Sequence, residues 1–255
     1  MPEPDSAPRV AWVTGAGTGI GRALAKRLAE NGWLVAASAR TARDLDSLAA
    51  EVPGRITSFQ LDVTNEAACT AIAEQISASL GPIDLAVLNA GSYFPTNAEN
   101  FSVANFRKTV DLNLMGVVNC MGPLVPAMVA RRTGHIAVMA SISGFLGLPT
   151  AASYGATKAA LNNMCEAFKV DFERYGVMLT VINPGFVKTP LTDKNSFPMP
   201  FLIPVDKAVD HIVRGLEQRR FEIAFPWQMV FLTRLLAAMP HWVKFSVTRR
   251  MLPKG

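Results

Sequence analysis

Short runs rich in apolar residues recur along the chain at 10–14, 34–39, 56–61, 85–89, 135–140 and 179–183. Runs of this kind mark strands covered on both faces, as in a parallel sheet; a half-exposed strand would alternate apolar with polar. The stretches between them carry apolar residues at helical spacing, as in Arg22-Ala23-Leu24-Ala25-Lys26-Arg27-Leu28-Ala29. Strand and helix patterns therefore alternate. This predicts an α/β fold, a doubly wound parallel sheet with helices on both faces and ligands at the carboxyl ends of its strands. No Pro/Ser/Gly-rich linker interrupts the alternation from Val10 to about Ile182, so residues 1–255 are expected to form a single domain that begins with a flexible leader at 1–8.

The first run passes directly into Gly15-Ala16-Gly17-Thr18-Gly19-Ile20-Gly21 and then into a helical pattern. Glycines allow the backbone to approach a pyrophosphate closely, and the free N–H groups and dipole of the following helix favour its negative charge. The spacing is not GxGxxG, because Ile20 stands where a third glycine would fall; Gly15, Gly19 and Gly21 fit TGxxxGxG. A second pattern, Tyr154 and Lys158, places a phenol and an ammonium one helical turn apart. A phenol with a pKa of ~10 must be stabilised as phenolate by about 4 kcal/mol to act as an acid/base at neutral pH, and a fixed cation can supply much of that. Taken alone, YxxxK also describes a solvated helix face.

Together these motifs resemble the short-chain dehydrogenase/reductase family, whose members have a Rossmann-like fold, and the match extends through most of the chain. The resemblance implies a cofactor turn at Gly15, Thr18, Gly19, Ile20 and Gly21, and an adenine contact at Asp62 and Val63. It identifies Asn89-Ala90-Gly91 with the NAG element after the fourth strand. Pro184-Gly185-Phe186-Val187-Lys188-Thr189 corresponds to the PGxVxT segment, which implies nicotinamide contacts from Pro184, Gly185, Val187 and Thr189. Asn113, Ser141, Tyr154 and Lys158 then fall on the family's catalytic positions. In that scheme Tyr154 exchanges the hydroxyl proton, Lys158 depresses its pKa and binds the nicotinamide ribose, Ser141 holds the substrate oxygen, and Asn113 supports a water relay. Two departures are visible: Leu88 stands in place of the first asparagine of NNAG, and Ala140-Ser141-Ile142-Ser143 replaces the usual paired serines, leaving Ser143 as a second hydroxyl candidate.

The second strand ends Ala36-Ala37-Ser38-Ala39-Arg40-Thr41, with Ala39 where an NAD site would offer a carboxylate to the ribose hydroxyls. Arg40, assisted by Arg43, can pair with a 2′-phosphate, so NADP(H) is the expected cofactor, with NAD still possible. The implied reaction is hydride transfer between the nicotinamide and a carbonyl or secondary alcohol carbon. No metal is required, and His135, His211 and His241 lie in no ligand or triad pattern.

The chain has a formal net charge of +5 and a pI of about 9.3, yet its cations are scattered up to Lys207 without interleaved aromatics, which argues against nucleic acid as a partner. Cys69, Cys120 and Cys165 lie far apart, so reduced buried thiols are expected. No uninterrupted apolar stretch reaches the ~18 residues of a bilayer span, and the N-terminus lacks a secretory pattern, so cytoplasmic residence is expected. Residues 189–204, with Pro198, Pro200 and Pro204 among large apolar side chains, suit a lid over a hydrophobic substrate or, equally, a proline-rich connector packed on the core. Residues 221–255 form an apolar and basic extension with two readings: a subunit contact that also closes the pocket, which family precedent favours, or a peripheral membrane contact through Trp227, Trp242 and basic residues. A homodimer or homotetramer is expected. The alternative function is a non-catalytic NADP-binding sensor or scaffold of the same fold.

Overall fold

The computed structural model describes residues 8–195 and 197–252, so the leader expected at 1–8 lies outside the described residues except for Pro8. Among these residues, seven strands form one parallel sheet: β1 (Val10–Thr14), β2 (Leu34–Ala39), β3 (Ile56–Gln60), β4 (Ile83–Leu88), β5 (Gly134–Met139), β6 (Val177–Pro184) and β7 (Glu222–Phe225). Their order is β3-β2-β1-β4-β5-β6-β7, which places the reversal of winding between β1 and β4. In open sheets of this kind, that crevice is where ligands bind.

The five inner strands, β2, β1, β4, β5 and β6, are buried on both sides because their alternate residues feed two separate apolar layers, while the edge strands β3 and β7 are only partly covered. Trp12, Ile136 and Val138 face one layer, while Val13, Ala137 and Met139 face the other. The first layer is closed by α3 (Glu66–Leu80), α5 (Gly116–Arg131) and α6 (Ala152–Glu173), through Ile76, Leu124 and Leu161 among others. The second is closed by α1 (Gly19–Glu30), α2 (Ala42–Glu51) and α7 (Val205–Glu217), through Leu24, Leu48 and Ile212. On α7 the residues Val209, Ile212 and Leu216 recur at three and four positions, the spacing that keeps one stripe against the sheet. Burial of each such side chain contributes about 1.5–3 kcal/mol. Cys69 and Cys120 meet in the first layer with sulfurs 3.8 Å apart, and Cys165 is buried there as well.

A continuous helical stretch comprises α4 (Val103–Val110), a π-helical turn (Asp111–Met115) and α5. Among the described residues, Val103–Arg131 is a stretch long and apolar enough to cross a bilayer. Arg107, Lys108 and Asp111 interrupt it, and much of its apolar face packs on α3 and the sheet.

The fourth strand ends at Leu88, one residue earlier than its apolar run, because the Asn89 N–H turns away to the Thr14 hydroxyl at 3.0 Å. β7 lies outside the six apolar runs: at four residues it is too short to show a period, and it follows the last of them by about forty residues. The tail continues as α8 (Trp227–Ala238) and α9 (His241–Arg249).

Candidate functional site

The strand ends at the crevice are tied together by one threonine and one asparagine. The Thr14 hydroxyl accepts from the N–H groups of Asn89 and Ala90 at 3.0 and 3.2 Å, while Asn89 Nδ2 donates to the Thr14 and Gly15 carbonyls at 3.0 and 3.2 Å. This clamp leaves no room for side chains: a Cβ on Gly21 would stand 2.3 Å from the Gly15 carbonyl oxygen, and one on Gly15 would stand 2.8 Å from Ala90 Cα. Gly15 and Gly19 also have φ of 65° and 57°, which a side chain resists. The turn delivers the start of α1 with no acidic residue in its first turn and no hydrogen bond from the Thr18 side chain to its N–H groups. An uncapped helix N-terminus behind close-packed glycines fits a phosphate group. Ile20 is partly buried beside this turn.

Opposite it, the π-helical turn carries Asn113, which is fully buried. Its side chain accepts from the Ser92 N–H and donates to the Ser92 carbonyl, both at 2.8 Å, pinning the loop after Gly91. A Cβ on Gly91 would lie 3.1 Å from Asn113 Oδ1 and 3.7 Å from Lys158 Nζ, so these groups converge on one backbone position. Lys158 Nζ donates to the Met139 carbonyl at 2.7 Å and lies 5.6 Å from the centre of the Tyr154 ring. Ser141, just past the end of β5, donates to the Pro184 carbonyl at 3.3 Å and accepts from the Ser143 N–H. Ser143 thus contributes its backbone to holding Ser141. The Thr189 side chain reaches back to within 3.4 Å of a Cβ position on Gly19, which joins the PGxVxT segment to the glycine turn.

Other expected residues lie differently. Val63 and Val187 are buried in the core, and their carbonyls are taken by Asn119 Nδ2 at 2.9 Å and by the Thr192 hydroxyl at 2.7 Å. The Gly185 N–H is taken by the Phe225 carbonyl at 2.7 Å. Arg40 and Asp62 line a groove of about 650 Å³ beyond the ends of β2 and β3, together with Arg107, Lys108, Asp111 and Leu112. Residues 189–204 are fastened at both ends, by Thr192 bonding around Thr189 and by an Ile203 bridge to Val187, and the Phe197 ring of this segment lies 6.0 Å from that of Phe186.

A model of the short chain dehydrogenase family matches residues 9–198, across the glycine turn, the crevice and the Tyr154/Lys158 helix. The chain belongs to the short-chain dehydrogenase family. An uncharacterized oxidoreductase of Myxococcus xanthus is 37% identical over 95% of this chain and 97% of its own. A 3-oxoacyl-(acyl-carrier-protein) reductase of Thermotoga maritima is 30% identical over 73% of this chain and 77% of its own. A short-chain dehydrogenase of Streptomyces avermitilis superposes with a TM-score of 0.84 at 25% identity, covering 98% of this chain and 100% of that one. An alcohol dehydrogenase of Thermococcus sibiricus, complexed with 5-hydroxy-NADP, superposes with a TM-score of 0.77 at 25% identity, covering 85% and 95%. As a short-chain dehydrogenase the protein is an NAD(P)-dependent oxidoreductase.

The electrostatics of this short-chain dehydrogenase differ from the sequence expectation in one respect. The phenol of Tyr154 is pushed up, not down: desolvation raises it, the Ser141 hydroxyl offsets part of the rise, and Tyr93 adds to it. Lys158 is itself buried, and burial holds it at about 8. The ammonium donates to the Met139 carbonyl and lies 5.6 Å from the centre of the Tyr154 ring. At Asp62, burial works against ionisation, but the Thr64 N–H and hydroxyl and the Arg40 charge outweigh it, and the carboxyl is lowered.

Several contributors escaped sequence reasoning. Thr14 opens the TGxxxGxG pattern, but its hydroxyl's grip on the Asn89 and Ala90 N–H groups has no sequence signal. Tyr93 stands edge-on to Tyr154, with centroids 5.5 Å apart and planes at 86°, and anchors its hydroxyl on Thr150. Thr157 donates to the Tyr154 carbonyl at 2.7 Å. Arg107 and Lys108 read as ordinary helix-surface charges, and nothing in their spacing points to a groove.

Proposed function

We propose that this short-chain dehydrogenase transfers a hydride between NADP(H) and the carbonyl or secondary alcohol carbon of a hydrophobic small molecule. The observation that carries the reading is the convergence of Ser141, Tyr154 and Lys158 beside Gly91 and Asn113 at the carboxyl edge of the sheet. Gly15, Thr18, Gly19, Ile20 and Gly21 would hold the pyrophosphate, Asp62 and the Val63 backbone the adenine side, and Asn89, Ala90, Gly91, Pro184, Gly185, the Val187 backbone and Thr189 the remainder. The bound dinucleotide supplies the hydride donor or acceptor.

The protein's own part is proton delivery and orientation. A phenol raised by burial is protonated at neutral pH, which suits donation of a proton to a carbonyl oxygen during reduction. The Ser141 hydroxyl, tethered only loosely at 3.3 Å, is free to turn its proton toward the same oxygen. Asn113 keeps the loop after Gly91 in place, and Lys158 holds a fixed cation next to it.

Support for NADP(H) comes from exposed Arg40 and Arg43, the uncharged Ala39, and the placement of Arg107 and Lys108 in the groove of Arg40 and Asp62. The archaeal alcohol dehydrogenase complexed with 5-hydroxy-NADP agrees with it. Support for a hydrophobic substrate comes from the aromatic lid and from Met229 of α8, whose sulfur approaches within 3.0 Å of a Cβ position on Gly185. Exposed Val118, Phe168 and Val170 on α5 and α6 support a homodimer or homotetramer, and the buried thiols suit a cytoplasmic setting.

NADPH oxidation measured against hydrophobic aldehydes, ketones and quinones tests the reading. Turnover with at least one class, lost by about 10²–10⁴-fold in Tyr154→Phe with NADPH affinity retained, is expected. Equal turnover in that variant removes Tyr154 from the reaction. A kcat/KM ratio near one for NADPH over NADH removes the cofactor preference.

A further inference from the structure

Residues 223–255 hold five Lys/Arg and no Asp/Glu. The chain has 25 Lys/Arg and 20 Asp/Glu, so residues 1–222 contain twenty of each sign and are formally neutral. The entire excess positive charge lies in the tail. Most of that tail is α8 and α9, joined through Met239 and Pro240 alone.

These helices cover little of the protein and are covered by little of it. α8 has no buried residue, and α9 has one, Thr248. On α8, Trp227, Phe231 and Leu235 follow one another at four-residue intervals and are 72%, 59% and 44% exposed. On α9, Trp242 and Phe245 are 76% and 57% exposed, and Met251 and Leu252 extend the apolar surface beyond it. Arg249 and Arg250 are exposed, and Lys244 is partly so. None of these three cations forms an ion pair among the described residues, whereas Arg234 is engaged by Glu222 and lies 5.0 Å from the Phe145 ring.

From this we infer that α8 and α9 form a docking surface for an anionic phospholipid bilayer, with Trp227, Phe231, Trp242 and Phe245 seated at the interface and Lys244, Arg249 and Arg250 against the headgroups. Tryptophans with an apolar ring and a polar N–H suit that boundary, and basic residues flanking them are attracted to its negative charge. A second copy of the chain fits less well. A two-fold contact through this face would oppose its cations to the same cations with no carboxylate between, and the rest of the molecule offers no net negative charge to receive them. The inference is independent of the reaction proposed above, since the residues tested lie outside that site.

The test uses the full-length protein, sedimented with vesicles of phosphatidylcholine alone or with about one third phosphatidylserine, at low and high salt, beside its molar mass in the absence of lipid. Co-sedimentation with the anionic vesicles, little with phosphatidylcholine, and release by salt are expected, with a blue shift of tryptophan emission on binding. Replacing Lys244, Arg249 and Arg250 together by Gln is expected to weaken partitioning about 100-fold, from about fivefold per basic residue at a charged surface. Trp242→Ala is expected to weaken it as well, with thermal unfolding and molar mass unchanged. Absence of binding to anionic vesicles at low salt overturns the inference, as does binding that the triple Gln variant leaves intact. A Trp242→Ala variant that halves the molar mass while vesicle binding persists overturns it too, and assigns the surface to a second copy.

Discussion

Lys158 carries its charge where water scarcely reaches it, at 3% exposure, and one carbonyl oxygen is its hydrogen-bond partner in the structure. Burial holds its pKa at about 8, below the ordinary 10.5, so the unfolded chain binds this proton more tightly than the folded one. The penalty is therefore full below about pH 8 and fades as pH rises toward 10.5. Lys158→Met should stabilise the fold at pH 7 by about 1–3 kcal/mol while removing turnover, and the gain should shrink by pH 10. Denaturant unfolding of both proteins at the two pH values checks this; a destabilised variant at pH 7 would show the Met139 bond to outweigh the desolvation. The residue pattern of the site could be read from the sequence because Tyr154 and Lys158 sit one turn apart on a helix and Gly15, Gly19 and Gly21 sit within one turn. What could not be read was the partner of each group. That Asn113 grips Ser92, and that Lys158 grips Met139, depends on where separate loops meet across 21 and 19 residues of chain.

Strands and turns carry the next set of consequences. In the turn between β1 and α1, Gly21→Ala would drive a methyl against the Gly15 carbonyl and Asn89 Nδ2. A loss of about 1–3 kcal/mol of stability is expected, together with loss of NADPH binding; calorimetry of unfolding and fluorescence titration measure the two. On β5, His135 is buried and donates from Nε2 to the Thr180 hydroxyl, whose own proton goes to the Arg220 carbonyl. Burial holds this imidazole at about 4, below its ordinary 6.5, so stability is lost as the unfolded chain protonates first. Between pH 6.5 and 4 about 3 kcal/mol should disappear, and His135→Gln should flatten that part of the profile. All of the first six strands start and end within two residues of their apolar runs, and the first two coincide with them. β7 escaped because Ile223, Ala224 and Phe225 are too few to distinguish a strand from the start of the apolar helix that follows. The π-helical turn escaped as well, since Asp111-Leu112-Asn113-Leu114-Met115 reads as ordinary helix and the extra residue is accommodated only where Gly116 packs against Val63.

At the scale of the molecule, the sheet and the six helices that close its layers account for the buried apolar clusters, while α8 and α9 add little to them. Truncation after Pro226 should therefore leave a cooperatively unfolding protein that has lost about 2 kcal/mol or less, measured by urea denaturation. A loss of cooperativity would place the tail inside the folding unit. The doubly wound plan was legible because it follows from the alternation of buried strand and amphipathic helix, whereas the tail's packing was not, since exposed and buried apolar helices have the same composition. The neutral body and its cationic end have a further consequence. Such a molecule has a permanent dipole directed along the line from sheet to tail, so near any charged plane it rotates before it touches. Orientation would be chosen at a distance, within a Debye length of about 8 Å in physiological salt, and the crevice would keep the same tilt toward the plane on every approach.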